Sequence, residues 1–254
     1  PAKLSLGEFE SVTAKYASVR LTNMSDRAVT YAVSHVPALG AYTDTPNSTT
    51  VRFSSMAASV QVGTPWVTVP PRSEATVGVG VARPVSDTTG LIFGGYVTFT
   101  PTDGSPTLRV PYLGYHGDYQ RFSTLDYSSY GLPWLAKLEG GSFYKMERMT
   151  INPQNGENAY LLFNLARQAS KLRITARATR GRNVGRLYDL RWVGRDSNPE
   201  DFSVLAWDGR NSRGDAVPAG EYVLVLEVLR PLGDENNPAH WDTWTSGPVT
   251  VQNQ

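Results

Sequence analysis

The chain has no cysteine among its 254 residues, which excludes a disulfide framework, thiol catalysis and thiolate metal sites. Its three histidines, His35, His116 and His240, form neither an H-x-x-x-H nor an H-E-x-x-H spacing, so no metal and no cofactor is expected. An excess of either charge is also lacking. With 24 basic against 23 acidic residues the net charge is +1, which offers no strong field to nucleic acid or to an anionic membrane, and neither is an expected partner. No run approaches the roughly 18 apolar residues of a membrane-spanning helix. The opening PAKLSLGEFE lacks the charged and apolar regions of a signal peptide, and a chain that starts on Pro1 reads as a fragment of a longer precursor. A sustained 3.6-residue period is absent too, so helix content should be low.

What the chain does have is alternation. Ala17, Val19 and Leu21 alternate with Ser18, Arg20 and Thr22, and Val29, Tyr31 and Val33 continue after a turn at 23–27. The period-2 pattern returns at 60–69, 76–82, 94–100 and 108–115, while the Thr-, Ser- and Pro-rich stretch 40–55 reads as a long loop. Later strands are expected at 143–151, 159–165, 172–178 with a basic outer face, 184–193 and 243–251. Chain length favours two sandwiches of roughly 110 to 130 residues each. The expected architecture is all-β, two β-sandwiches in tandem: one over 1–121, a packed connection rich in Tyr, Trp and Gly over 122–142, and a second over 143–254.

The stretch 202–230 is the clearest unit of the second half. Val204 to Trp207 and the run 222–229 read as strands, with Tyr222, Leu224, Leu226 and Val228 on one parity, joined by a Gly- and Asp-rich loop. The prediction is a long-looped β-hairpin with Trp207 buried.

Few residues invite chemistry. Gly78-Val79-Gly80-Val81 lies within a strand and lacks the third glycine and the helix of a phosphate-binding fingerprint. Asn23 and Asn47 begin N-x-S/T sequons that would accept glycans in a eukaryotic secretory pathway. Arg213-Gly214-Asp215 is the tripeptide that integrins read on mobile loops, although a turn needs Gly and Asp there anyway. Trp241 and Trp244 are candidates for stacking on sugars or for covering the end of a core. Two carboxylates meeting in space would make a glycosidase pair that sequence spacing does not reveal.

The motif W-D-G-x-x-x-x-G-x-x-V-P-A-G-x-Y at 207–222 resembles the Ig-like repeat of flagellar hook-capping proteins and of the C-termini of many secreted subtilisin-like serine proteases. G-x-V-x-F-x-P followed by L-x-V-P-Y-L-G-Y-x-G-D, ending at Asp118, is similar to the closing strands of the fibronectin-III-like domain of large secreted subtilases. Pro1 to Gly7 resembles the first strand of that domain, and V-L-R-P-L-G-D at 228–234 with Trp241-Asp242 and a final Pro-Val-Thr-Val resembles the terminus of fungal enzymes of this type. The resemblance implies a fibronectin-III-like domain followed by an Ig-like domain, a secreted glycoprotein, and a catalytic domain of the parent protease as partner. Ser55-Met56-Ala57 and His116-Gly117 resemble pieces of the subtilase triad. They lack the flanking Gly, Pro and second His, and they stand in the wrong order, so the chain alone is expected not to be an enzyme. Expected roles are bracing the catalytic domain and offering a face to protein substrate, or alternatively binding cell-wall polysaccharide or host matrix.

Overall fold

The alternating stretches become strands that sort into two layers in each half. The computed structural model describes residues 3–43, 50–86, 90–125, 128–180 and 184–252, and the chain divides into two compact units, Pro1–Tyr119 and Gln120–Gln254. In the first unit the strands are β1 (Leu4–Glu8), β2 (Ala14–Thr22), β3 (Val29–Pro37), β4 (Gly40–Thr43), β5 (Val51–Ser54), β6 (Ser59–Val62), β7 (Trp66–Val69), β8 (Glu74–Ala82), β9 (Leu91–Pro101) and β10 (Leu108–His116). Seven form one sheet, in the order β1-β10-β9-β3-β7 with β4 on β9 and β5 on β4, and β2-β8-β6 form the other. Phe93, Val97 and Phe99 of β9 and Val77, Val79 and Val81 of β8 share one buried apolar cluster between the sheets. Phe9 meets Phe93 edge-on at 5.2 Å. Gly114 makes this contact feasible, because a Cβ there would lie 2.5 Å from Phe93 and 2.9 Å from Phe9.

Two expectations for this unit are corrected. The stretch 40–55 is a hairpin as well as a loop: Gly40 to Thr43 pair with Ser54 to Val51, since Tyr42, Val51 and Phe53 supply enough strand-forming side chains, while its tip at 44–49 lies outside the described residues. The run 60–69 is two strands, with β6 in the three-stranded sheet and β7 in the seven-stranded one. Pro65, which has no N–H to give to a ladder, stands where the chain changes layer.

The second unit contains β11 (Trp134–Glu139), β12 (Ser142–Lys145), β13 (Met149–Ile151), β14 (Ala159–Phe163), β15 (Ala169–Ala178), β16 (Gly185–Val193), β17 (Ser203–Trp207), β18 (Gly220–Leu229), β19 (Trp241–Thr245) and β20 (Val249–Val251). One sheet runs β12-β11-β14-β17 and the other β13-β20-β18-β15-β16, with β19 on β18. Among the described residues the helices are three single 3-10 turns, at Tyr119–Arg121, Pro153–Asn155 and Pro238–His240. The stretch 122–142 is therefore not merely a connection, because β11 is a working strand of the second unit. Residues 143–151 divide between the two sheets as β12 and β13.

The expected hairpin of 202–230 is corrected as well. β17 pairs with β14 and β18 pairs with β15, so the two belong to opposite sheets and the loop between them is an arch across the sandwich. The apolar pattern permits both readings. What decides is that Trp207, buried at 3% exposure, meets Tyr222 from the facing sheet, with ring centroids 5.5 Å apart and edge-to-face. Their polar atoms are satisfied within the arch, Trp207 Nε1 donating to the Arg210 carbonyl at 2.8 Å and Tyr222 OH to the Pro218 carbonyl at 2.7 Å.

An ion pair between the buried Asp242 and the largely buried Arg230 anchors the start of this unit. Arg230 donates through Nε and Nη2 to Asp242 Oδ1 at 3.0 and 2.5 Å, and through Nη1 to the Gln120 carbonyl at 2.5 Å. The other Asp242 oxygen accepts the backbone N–H of Thr124. Residues 120–124 are thereby tied to β18 and β19. Nearby, Glu235 receives Lys171 at 2.8 Å, Arg191 at 3.1 Å and Arg173 at 3.2 Å, and the Lys171 hydrogen bond holds its carboxyl below the usual glutamate range. With Arg177 3.9 Å from Glu227, both basic residues of the outer face of 172–178 have an acidic partner within the fold.

Two outcomes are expected. Trp207→Ala should cost roughly 3 to 5 kcal/mol, whereas Asp215→Ala at the arch tip should cost under about 1 kcal/mol; calorimetry following the second unit's transition compares them, and equal small shifts would contradict the packing. Asp242→Ala should cost about 3 to 5 kcal/mol because it leaves Arg230 buried without a counter-charge. The double variant Arg230→Met, Asp242→Leu should lose less than the single one in the same measurement.

Candidate functional site

The histidines are dispersed. His35 projects from β3 to the inner side, opposite Val97, and its Nε2 lies 2.7 Å from Tyr112 OH. Burial pushes the His35 pKa down and that of the Tyr112 phenol up to about 12. His116 is buried at the end of β10. His240 belongs to the second unit, where its Nδ1 accepts the Asp234 N–H at 2.9 Å and its Nε2 lies 3.0 Å from Asn237 Nδ2. Ser55 is exposed between β5 and β6. Among the described residues no group of His, Asp and Glu could hold a metal ion. Asp242, the buried carboxylate among them, is already bound by Arg230.

The structure places the other candidates one by one. Asn23 is buried, and its Nδ2 lies 2.7, 3.1 and 3.0 Å from the carbonyls of Arg27, Val69 and Pro70, while Oδ1 accepts from Ser25. In the fold this side chain closes a turn, and its amide is not presented for a glycan. Asn47 lies outside the described residues. Arg213, Gly214 and Asp215 are exposed, at the tip of the arch. Asn211 Oδ1 accepts the N–H of Arg213 at 2.8 Å and of Asp215 at 3.0 Å, Asn211 Nδ2 donates to Asp215, and Arg210 donates to the Gly214 carbonyl. The tripeptide is a tied turn, explained by its own geometry.

Trp241 and Trp244 do not form a common platform. Being three apart on one strand, they fall on opposite sides of β19. Trp241 lies opposite Leu229 with the Arg173 guanidinium 4.5 Å from its ring centroid. Trp244 lies opposite Leu226 and packs against the interior clusters. Trp244 therefore covers the core.

Sequence reasoning missed one feature. The outer side of the seven-stranded sheet carries exposed apolar residues around a cavity of about 340 Å³ that includes Leu39, Ile92, Tyr96 and Leu113. The available signal was apolar residues on both parities of β9 and β10, where a solvated sheet would show only one. A second cavity, of about 390 Å³, lies beside the arch and is lined by Arg180, Asn211, Glu221 and Tyr222 among others.

Residues 4–113 match the family model of an Fn3-like domain. No curated protein sequence matches the chain. Among solved structures, the ASH/PapD-like domain of human CEP192 is similar at 14% identity and a TM-score of 0.33, covering 45% of this chain and 81% of that one. The Pseudomonas aeruginosa CupB2 chaperone is similar at 9% identity and a TM-score of 0.31, covering 97% and 98%. The secreted serine protease VesC from Vibrio cholerae is similar at 8% identity and a TM-score of 0.29, and the match spans 98% of this chain but 50% of that one. Likenesses this distant carry no functional argument.

The half-buried His35 predicts a pH dependence. Unfolding lets it bind a proton that the fold resists, so stability should decrease as pH falls through its ordinary value of 6.5 towards the lowered native pKa. Melting temperatures of the first unit between pH 8 and 5 should show this decrease, and His35→Asn should flatten it. A wild-type curve with no slope there would contradict the assignment.

Proposed function

From an Fn3-like first unit and a second all-β sandwich, we propose that this chain is the non-catalytic C-terminal accessory region of a secreted subtilisin-like serine endopeptidase. The observation that carries this reading is a coincidence. The Fn3-like match over 4–113 overlaps the first-half motifs that resemble the fibronectin-III-like domain of subtilases, and the motif at 207–222 occupies the arch that locks the second sandwich. In this role the chain braces the catalytic domain and offers surface beside the substrate cleft, and it contributes no catalytic group. Polysaccharide binding through Trp241 and Trp244 together is the weaker reading, because β19 turns the two rings to opposite sides.

The purified chain should leave casein and peptide esters uncut, and the coding sequence upstream of Pro1 should contain Asp, His and Ser motifs of a subtilase in that order. Hydrolysis abolished by a serine-directed inhibitor, or a different upstream domain, would overturn the proposal.

A further inference from the structure

The outer side of the seven-stranded sheet carries a contiguous apolar block. Burial of Phe93, Val97 and Phe99 turns Ile92, Gly94 and Tyr96 of β9 to the opposite side. Register fixes their neighbours: Ile92 lies opposite Ala41 and Ala41 opposite Phe53, Gly94 lies opposite Leu113, and Tyr96 lies between Pro111 and Val36. Phe53, Leu113, Val36, Ile92 and Tyr96 are 71, 57, 49, 43 and 41% exposed. Single exposed apolar residues are ordinary, but a contiguous block on one face marks a binding surface.

The shape and charge of the block narrow the occupant. Gly94 lies among the residues lining the 340 Å³ cavity, and a Cβ there would come within 2.7 Å of the Tyr112 carbonyl oxygen. The sheet therefore keeps a hollow at this position. A hollow receives a side chain projecting from another folded surface, whereas a bilayer is entered by protruding apolar side chains. Among the described lining residues Lys3 is the only charged one, Arg109, opposite Thr98, adds a second positive charge to the same side, and the carboxylate on that side, Glu8 opposite Tyr115, already accepts the Tyr119 N–H. A second copy placed on this face would bring cations to cations. The complement is a different surface, one that carries a carboxylate.

We propose that this side docks a separately folded domain of the same polypeptide, which sets an apolar side chain into the hollow beside Gly94 and a carboxylate against Lys3. The proposal rests on the accessory role above for the existence of that domain, and not on its being a protease.

The absence of cysteine makes the test direct. Leu113→Cys reports on the proposed face, and Arg20→Cys, whose parent side chain is 71% exposed on β2, reports on the other sheet. Each is treated with a maleimide in the isolated chain and in the parent polypeptide, and the tagged peptide is quantified by mass spectrometry. Leu113→Cys should react about tenfold more slowly in the parent, as for a docked state populated about 90% of the time. Arg20→Cys should react equally in both, and Lys3→Glu should restore labelling at position 113 without changing the melting temperature of the isolated chain. Equal labelling at 113, or a parent with no further folded domain, overturns the proposal. So does dimerisation of the isolated chain that protects position 113, or flotation of the chain with phosphatidylserine vesicles. Protection by an upstream domain that lacks a protease triad would uphold the docking face and remove the protease reading.

Discussion

Two sheets with no disulfide between them must be held by apolar contact across their inner faces, and every other feature of each unit depends on that contact. In the first unit the burden falls on β9 facing β8, where phenylalanines and valines from the two layers share a buried cluster. In the second it falls on β18, whose inward residues from Tyr222 to Val228 are almost fully buried. Burial of this apolar area is the dominant favourable contribution to folding. It also explains why the chain changes sheet so often. A strand that crosses to the other layer brings a new row of side chains to the same core, and Trp207 against Tyr222 is one product of such a crossing.

Polar groups in this structure act mainly as fasteners. Asn23 closes a turn with both ends of its amide, Asn211 organises the arch tip, and Asp242 joins Arg230 to the backbone at Thr124. Each satisfies groups whose burial without partners would be costly. Glu235 is different in degree, since one carboxylate serves three cations and its loop is thereby held over β15 and β16. These contacts give several of the candidate residues a structural role. The sequon at Asn23, the adhesion-like tripeptide and the basic strand face each have a structural explanation in the fold, and the apolar outer side of the seven-stranded sheet is not explained by internal packing.

That remainder fits an accessory module. A protein whose work is to hold a neighbour needs neither a metal nor a nucleophile; it needs a rigid sandwich and a face complementary to something else. The hollow beside Gly94 is rigid because it is formed by central strands whose other side is the core.

The sequence alone determined the all-β class, because alternation at period 2 records which side of a strand is buried, and it determined the burial of Trp207 and of the inward parity of 222–228. The tripeptide 213–215 was readable as a turn for the same local reason, since Gly and Asp tolerate the backbone that a turn requires. Sequence did not reveal which strands pair. β6 and β7, β12 and β13, and β17 and β18 are each close along the chain, yet each pair divides between opposite sheets, and a buried apolar strand looks the same in either layer. Nor did it separate Trp241 from Trp244, whose roles depend on which side of β19 faces the core. The outer block around Gly94 was invisible for a related reason: Phe53, Val36, Ile92 and Leu113 are far apart in the chain, and only the register of β3, β4, β5, β9 and β10 places them on one face.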